Sequence, residues 1–157
     1  MILEDRVMAF QKLGDFFLNP HADSSFESII QKACDNNPWF IKSNIEYAMF
    51  VFGELLCSNL KLFLKSYHLN NKVKKIGVVI PSNIPLVGFY DFLCVLLSGS
   101  IFIGKLSKTN NILLPFIANK LCYLNPEFEK MIFFEDSFSH LDLLIVTGND
   151  NTAQYYH

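Results

Sequence analysis

The feature that most constrains the fold is an apolar stretch, residues 76–104, that carries a single charge, Asp91. By hydropathy alone this stretch is long enough to span a membrane. However, the two prolines in Pro81–Pro85 would break one continuous helix, and the serine and asparagine between them would place polar groups in lipid. A Gly99-Ser100 pair interrupts the stretch again. We therefore expect a buried strand, helix and strand joined by turns, and no membrane span.

Four short apolar runs without polar alternation predict strands that are covered on both faces. The runs are residues 76–80, 101–104, 131–134 and 142–147. Two helical segments, at about 86–97 and 109–122, separate the first three runs. Strands that alternate with helices through right-handed crossovers predict an α/β fold with a partial doubly wound, Rossmann-like parallel sheet.

Helices are predicted before this sheet. Residues 1–40 contain two amphipathic stretches, FQKLGDFF and SSFESIIQKACD, and are predicted to form a peripheral helical segment. Ser24 or Ser25 would cap the second of these helices. Residues 41–157 are predicted to hold a long helix and an incomplete α/β domain, and Ser43-x-x-Glu46 marks the start of that helix as a capping box.

Composition limits the classes of partner. Hydrophobic residues make up 51% of the chain and charged residues 18%, which is enough apolar material for a sizeable core. The net charge is −2 and the basic run Lys72–Lys75 is short, so nucleic-acid binding is not expected. The start, MILEDRVMAF, has acidic residues where a signal peptide has basic ones, so a cytoplasmic protein is expected.

The cysteines and histidines predict no metal site. Four cysteines are widely spaced and form no CxxC pair, which argues against a zinc site, a redox pair or a disulfide framework. Each lies in an apolar, helix-like context, where a free cysteine packs as a small hydrophobe and suits a reducing compartment. The four histidines show no partnered spacing, so neither a metal nor a catalytic triad is expected.

Three polar loops begin where predicted strands end. They are PSNIP (81–85), GKLSK (104–108) and TGNDNTA (147–153). Ligands of doubly wound sheets bind beyond the carboxyl ends of the strands. Small polar residues at a helix start also offer unpaired N–H groups to a phosphate. Each loop alone is also an ordinary turn, but together the three favour a nucleotide site.

The order of these loops resembles the cofactor-binding half of the aldehyde dehydrogenases. That superfamily has a P-x-N-F-P turn, a K-P-S strand end and an F-T-G-S helix start. This chain has Pro81-Ser82-Asn83-Ile84-Pro85, Lys105-Leu106-Ser107 and Val146-Thr147-Gly148-Asn149. It is more similar still to the LuxC-type acyl-CoA reductases, a branch of the superfamily, through NPWFIKSNIEYAM, GVVIPSNIPLVGFYDF, GKLSKTNNILLPFIANKL and TGNDNTAQYY. The resemblance covers about residues 37–157.

The resemblance implies reduction of a fatty acyl-CoA to an aldehyde with NADPH or NADH, through a thioester on a cysteine. Asn83 then stands where the superfamily places its oxyanion donor. An amide held between two prolines is a preorganised donor, which suits that role. From the residues alone, the alternative is that Asn83 caps the helix that follows.

The resemblance also implies that the three loops bind the cofactor. Lys105 and Ser107 would reach the adenosine ribose or its phosphate. Lys108 stands where many aldehyde dehydrogenases carry a glutamate that binds the ribose hydroxyls. Without that carboxylate a 2′-phosphate is not repelled, so the resemblance implies that NADPH would be accepted. The alternative is that Lys108 is an exposed surface lysine. The other cofactor-binding residues that the resemblance implies are Pro81, Ser82, Thr147, Gly148, Asn149 and Thr152. Ala153 replaces a family glycine, which puts the phosphate geometry in doubt.

The nucleophile of the family lies beyond the third loop, and none of the four cysteines matches it. The chain, which stops at His157, is therefore expected to be a part truncated before the catalytic cysteine and inactive alone. The expected partners are an acyl-CoA substrate in the full-length family and either further copies of this chain, as a homo-oligomer, or a catalytic half on another chain. Open alternatives are a non-catalytic nucleotide-binding module, a gene remnant, or a structural or membrane-associated protein. Apolar faces left open by missing strands would make the isolated chain sticky.

Overall fold

The computed structural model describes residues 1–58, 60, 64 and 72–147. Within these residues the helices are α1 (Leu3–Leu18), α2 (Phe26–Asn36), α3 (Lys42–Cys57), α4 (Phe89–Leu97) and α5 (Leu113–Leu124), with 3₁₀ turns at Pro20–Ala22 and Pro126–Lys130. The strands are β1 (Lys75–Ile80), β2 (Ile101–Leu106), β3 (Ile132–Phe134) and β4 (Leu143–Val146). Helices therefore precede an α/β sheet, as predicted.

The four described strands form one parallel sheet in the order β3-β2-β1-β4. The central strand is β1, in which Gly77 lies opposite Ile103 on one side and Leu144 on the other. Every residue from Ile76 to Ile80 is buried, which explains why this run shows no polar alternation. The order is that of the first strands of a doubly wound sheet, and the predicted fold class is confirmed.

The stretch at 76–104 does not span a membrane as one helix. It forms β1, α4 and β2, with turns at the prolines and at Gly99. Among the described residues, no helix combines the length and the hydropathy needed to cross a bilayer. The strand, helix and strand predicted for this stretch are therefore confirmed.

The main core lies on one face of the sheet. Ile76, Val78 and Ile80 of β1 belong to it, as alternation along a strand requires. Aromatic rings connect it to the N-terminal helices: Phe102 of β2 meets Phe92 of α4 edge-on, and Phe92 meets Phe10 of α1. The division at residue 40 stays a prediction, but the first helix shares this core through Val7, Phe10, Leu13 and Phe17.

Two glycines bring α1 and α3 into close contact. A Cβ atom added at Gly14 would lie 2.8 Å from Cβ of Leu56, and one added at Gly53 would lie 2.8 Å from Cδ2 of Leu18. Each helix thus packs a glycine against a leucine of the other helix. The N-terminal helices are therefore held against the rest of the chain by backbone proximity as well as by apolar burial.

The opposite face of the sheet is covered at β1 by the connection between β3 and β4. A Cβ atom on Gly77 would clash with Cδ1 of Leu141 and would lie 3.3 Å from the ring of Phe138. Both residues belong to this connection, which contains no helix. Glycine at this position lets the connection approach the central strand.

Two predicted caps are not formed. The capping box Ser43-x-x-Glu46 is wrong because the chain is still extended at Ile41 and α3 begins at Lys42, which places Ser43 inside the first turn. Ser25 does precede α2, but its hydroxyl donates to the carboxylate of Asp23 at 2.6 Å and does not bind the helix. In neither case does an N-cap side chain form a hydrogen bond to the helix.

Candidate functional site

All strand ends that the loops follow lie at one edge of the sheet, because the strands are parallel. Pro81 follows β1, Ser107 follows β2, Glu135 follows β3 and Thr147 follows β4. From β1 the chain adds β2 and then β3 on one side of the sheet, and it then crosses to add β4 on the other side of β1. The topological switch point therefore lies between β1 and β4. Doubly wound folds bind their ligands at this place.

The turn that carries Asn83 is not the start of a helix. The side chain of Asn83 is exposed, and α4 begins only at Phe89, with Gly88 as its N-cap and no side-chain cap bond. Leu86 has a positive φ of 58°, which is not helical, and α4 begins three residues after its predicted start at about residue 86. The alternative in which Asn83 caps this helix is therefore wrong.

Two buried asparagines hold this turn. Nδ2 of Asn110 donates to the carbonyl oxygen of Pro81 at 2.7 Å, and Nδ2 of Asn37 donates to that of Ser82 at 2.8 Å. Sequence reasoning missed both, because asparagine is usually exposed and no pattern marks a buried one. A signal was present only in the flanking apolar residues, such as Phe40 and Leu113, which are buried too.

The end of α2 also contacts the second loop. Nδ2 of Asn36 donates to the carbonyl oxygen of Lys108 at 3.3 Å and to Oδ1 of Asn111 at 3.1 Å. Neighbouring residues of one helix end, Asn36 and Asn37, therefore contact the loops that follow β1 and β2. The spacing of the two loops is fixed by this helix end.

A cavity of about 220 Å³ opens between the ends of β2 and β3. Ser107 and Lys108, both predicted to bind cofactor, line it, whereas Lys105 is half-buried within β2 itself. The sequence did not single out Glu135 and Asp136, which line the same cavity from the neighbouring strand end. The cavity thus holds one lysine and two carboxylates, so its lining has a net negative charge.

The third loop is described only at its first residue. Oγ1 of Thr147 donates to Oδ2 of Asp91 at 3.4 Å, and burial raises the pKa of this carboxyl group. Asp91 lies in the first turn of α4, so this bond joins the helix after β1 to the end of β4. The predictions for Gly148, Asn149 and Thr152 lie outside the described residues.

An apolar cavity of about 380 Å³ adjoins the turn of Asn83. The turn contributes Ile84 and Pro85, and α3 contributes Ala48 and Val51. Ile84 and Val51 are both exposed. Neighbouring exposed apolar side chains of this size often mark a binding surface.

A larger cavity of about 900 Å³ lies at the other edge of the sheet, near Met1, Gly99 and Ile101. It borders the place where β2 begins. Ligands of this fold class bind at the carboxyl edge, so volume does not select the candidate site here.

The cysteines of the described helices are poor nucleophiles. The pKa values of all four thiols are raised. Burial is the largest cause for each, and nearby carboxylates raise the pKa further. Cys94, which was expected to pack in a helix, is exposed on α4. A reactive cysteine needs a lowered pKa, so none of the four has the setting of a nucleophile.

One histidine has partners that its sequence spacing did not reveal. Nδ1 of His21 lies 2.9 Å from Glu27, and Nε2 lies 3.5 Å from Glu46. These side chains could surround a cation, but Nζ of Lys42 already lies 2.6 Å from Glu27 and 3.7 Å from Glu46. The group is an exposed ion-pair network on the surface formed by α2 and α3.

Comparison with known proteins places the chain in a family. A family model for acyl-CoA reductase (LuxC) matches residues 63–150, which is more than half of the chain. The matched region holds the whole described sheet and the turn of Asn83. No curated protein and no solved structure matched the chain. The chain therefore belongs to the LuxC family of acyl-CoA reductases.

Proposed function

We propose that this chain is the cofactor-binding part of an acyl-CoA reductase of fatty acid metabolism. The reaction consumes a fatty acyl-CoA, NADPH or NADH, and a proton, and yields an aldehyde, free coenzyme A and the oxidised nucleotide. The observation that supports the proposal is the family match over a parallel sheet in which Pro81, Ser107 and Thr147 follow strand ends at one edge.

Asn83 is proposed as the donor to the thioester carbonyl oxygen. Its turn follows the central strand at the carboxyl edge, and its side chain is exposed there rather than used as a helix cap. Removal of one such preorganised donor costs an acyl-transfer enzyme about 3–4 kcal/mol of transition-state stabilisation. This amide would act on charge that develops on oxygen as the carbonyl is attacked.

The cofactor is proposed to lie across the ends of β1, β2 and β4. When bound it supplies hydride, and the residues of the chain hold and orient it. Ser107 and Lys108 line the cavity between the ends of β2 and β3, and Lys105 lies two residues before Ser107, within β2. Pro81, Ser82 and Thr147 border the same edge. The roles of Gly148, Asn149 and Thr152 at the pyrophosphate rest on the resemblance.

The acyl chain is proposed to lie in the apolar cavity beside Asn83. Burial of apolar surface contributes about 0.8 kcal/mol per methylene group, which is enough for an apolar cavity to favour long chains over short ones. Ile84 and Val51 are exposed in that cavity and would be covered by such a chain. A fatty acyl thioester fits this arrangement better than a small polar aldehyde.

The nucleophile is proposed to come from residues other than the four cysteines of this chain, whose thiols have raised pKa values. A catalytic half on another chain would then supply it, because a second copy of this chain carries the same four cysteines. The same thiol settings favour a second candidate, a nucleotide-binding module without catalysis. Four free thiols suit a reducing cytoplasm.

The test uses Trp39, the single tryptophan of the chain, which is exposed next to Asn37. Energy transfer from Trp39 to reduced nicotinamide reports NADPH or NADH binding, and aldehyde formation from a fatty acyl-CoA is assayed in the same sample. Binding of both a nucleotide and an acyl-CoA analogue supports the reductase part. Nucleotide binding without binding of the analogue favours the module, and no binding of either nucleotide rejects both proposals.

A further inference from the structure

The turn Pro81–Pro85 is attached to the fold by side chains from two distant segments. Consecutive carbonyl groups, those of Pro81 and Ser82, accept hydrogen bonds from Asn110 at 2.7 Å and from Asn37 at 2.8 Å. Asn37 follows α2 and Asn110 precedes α5, so neither belongs to the strand or helix that the turn connects. The turn is thus held from both of its flanks.

The two asparagines are themselves fixed. Asn37 is 1% exposed and Asn110 is 5% exposed. Oδ1 of Asn37 accepts from the backbone N–H of Trp39 at 3.0 Å, and its own N–H donates to the carbonyl of Ala33. The N–H of Asn110 donates to the carbonyl of Ser107 at 3.0 Å. Each asparagine is therefore also held by hydrogen bonds to residues outside the turn.

These bonds set the direction of two peptide groups. No peptide bond in the described residues is cis, and the C=O and N–H of a planar trans peptide point in opposite directions. With the Ser82 carbonyl directed at Asn37, the N–H of Asn83 is directed away from it. The Pro81 carbonyl fixes the N–H of Ser82 in the same manner. The backbone from which the Asn83 side chain projects is therefore defined on both sides.

Burial of an amide is unfavourable unless it is hydrogen-bonded, so an apolar pair would be the simpler choice for stability alone. A fully bonded polar pair instead selects one conformation. We propose that Asn37 and Asn110 are positioning residues that hold the turn so that Pro81, Ser82 and Asn83 are preset for nucleotide and thioester. This inference rests on the proposed function for its ligands.

The test replaces each donor by an isosteric acid. In Asn37→Asp and Asn110→Asp the ionised carboxylate repels the carbonyl oxygen that the amide bound, whereas the protonated acid can donate to it again. Burial raises the pKa of such a carboxyl group, so protonation is reached in mildly acidic solution. Asn119→Asp, at an exposed position of α5, is the matched control, and Asn37→Ala is a second variant without the new charge.

Two readouts are compared in the full 157-residue chain. Hydrogen exchange of the Ser82, Asn83 and Ile84 amides is expected to become at least about tenfold faster in both Asp variants, while exchange at Phe102 and Ile103 of β2 is unchanged. NADPH affinity, measured by energy transfer from Trp39, is expected to fall about tenfold at mildly alkaline pH and to recover as the pH is lowered. The control variant should change neither.

Faster exchange in the turn with weaker, acid-rescued binding supports the inference. It is overturned if exchange in the turn is unchanged, if β2 accelerates equally, or if exchange changes while NADPH affinity does not. Lack of NADPH binding by the unaltered chain rejects the proposed function instead. In that case the exchange readout alone decides whether the asparagines hold the turn.

Discussion

The ammonium group of Lys120 is bound by the carboxylate of Asp23, which joins the turn before α2 to the middle of α5. The ammonium also lies over the rings of Phe16 and Phe116, at 5.2 and 5.9 Å from their centroids. The pKa of Asp23 is lowered to about 2, and the hydrogen bond to Lys120 is the largest cause. This pair thus links the N-terminal segment to the region that matches the family.

The pair makes stability depend on pH in a definite direction. The pKa of Asp23 is lower in the folded chain than in the unfolded one, so its contribution is present above about pH 4 and is lost as the pH falls through about 2. We expect Asp23→Asn to lower the free energy of unfolding by about 1 kcal/mol at neutral pH, after solvent screening, and by progressively less in acid. Urea unfolding at several pH values measures this. In a double-mutant cycle with Lys120→Met, additive losses would contradict the pairing.

Asp91 should behave in the opposite way. Burial raises the pKa of this carboxyl group, so the folded chain binds its proton more tightly and gains stability as the pH falls through the raised value. Asp91→Asn keeps an acceptor for Thr147 and removes the buried charge, so the variant is expected to be more stable than the unaltered chain at neutral pH and equally stable in acid. Thermal melts at both pH values check this. A variant that is less stable at neutral pH would show that the charge is needed.

Gly14→Ala tests the contact between α1 and α3. Alanine normally stabilises a helix over glycine by about 0.5–1 kcal/mol, whereas overpacking of a tight contact costs about 1–3 kcal/mol. The added Cβ would meet Cβ of Leu56, which is not the movable end of a side chain, so the clash should win by about 1–2 kcal/mol. Ser28→Ala, at an exposed position of α2, is the control for helix propensity. Denaturant unfolding in which Gly14→Ala is the more stable of the two would refute the close contact.

Cofactor choice should follow the charges in the cavity between β2 and β3. The combined variant Glu135→Gln and Asp136→Asn removes two negative charges near Lys108, so affinity for NADPH relative to NADH should rise about three- to tenfold, and less in high salt. Lys108→Met should shift the ratio the other way. Dissociation constants for both nucleotides give the answer, with Glu129→Gln as an exposed control. If no variant changes the ratio of the NADPH and NADH dissociation constants, the adenosine ribose does not bind in this cavity.

The apolar cavity beside Asn83 can be filled from α3. Ala48→Trp would occupy the space proposed for the acyl chain and should weaken binding of a long-chain acyl-CoA about tenfold or more, with NADPH affinity unchanged. Ala22→Trp, at an exposed position of the first 3₁₀ turn, is the matched control. Calorimetric titration with long and short acyl-CoA measures the effect. An equal loss for both chain lengths would mean that the cavity does not hold the chain.

Much of the sheet was predictable because its strands are apolar runs bounded by polar or breaking residues. β1 ends at Ile80, directly before Pro81, and β2 runs only two residues beyond its predicted end at Gly104. The family followed from the order of short motifs in the loops. Both depend on residues that lie near one another in the sequence.

What could not be predicted depends on contacts between distant residues. The start of α4 at Phe89 is set by the backbone conformation of Leu86, which a leucine rarely adopts and no local pattern announces. The burial of Asn37 and Asn110 exists only because the turn after β1 lies between them. Glu135 enters the candidate cavity because β3 pairs with β2.

The pairing of β1 with β4 has a consequence for synthesis on the ribosome. Ile76 is made early and pairs with Leu143, which emerges from the ribosome only after α4, β2, α5 and β3 have been translated. Until then one edge of the central strand has no neighbour, and an open parallel edge is a site where other chains can add. The nascent chain therefore passes through a period in which a chaperone, or slow translation before residue 143, would decide how much of it folds correctly.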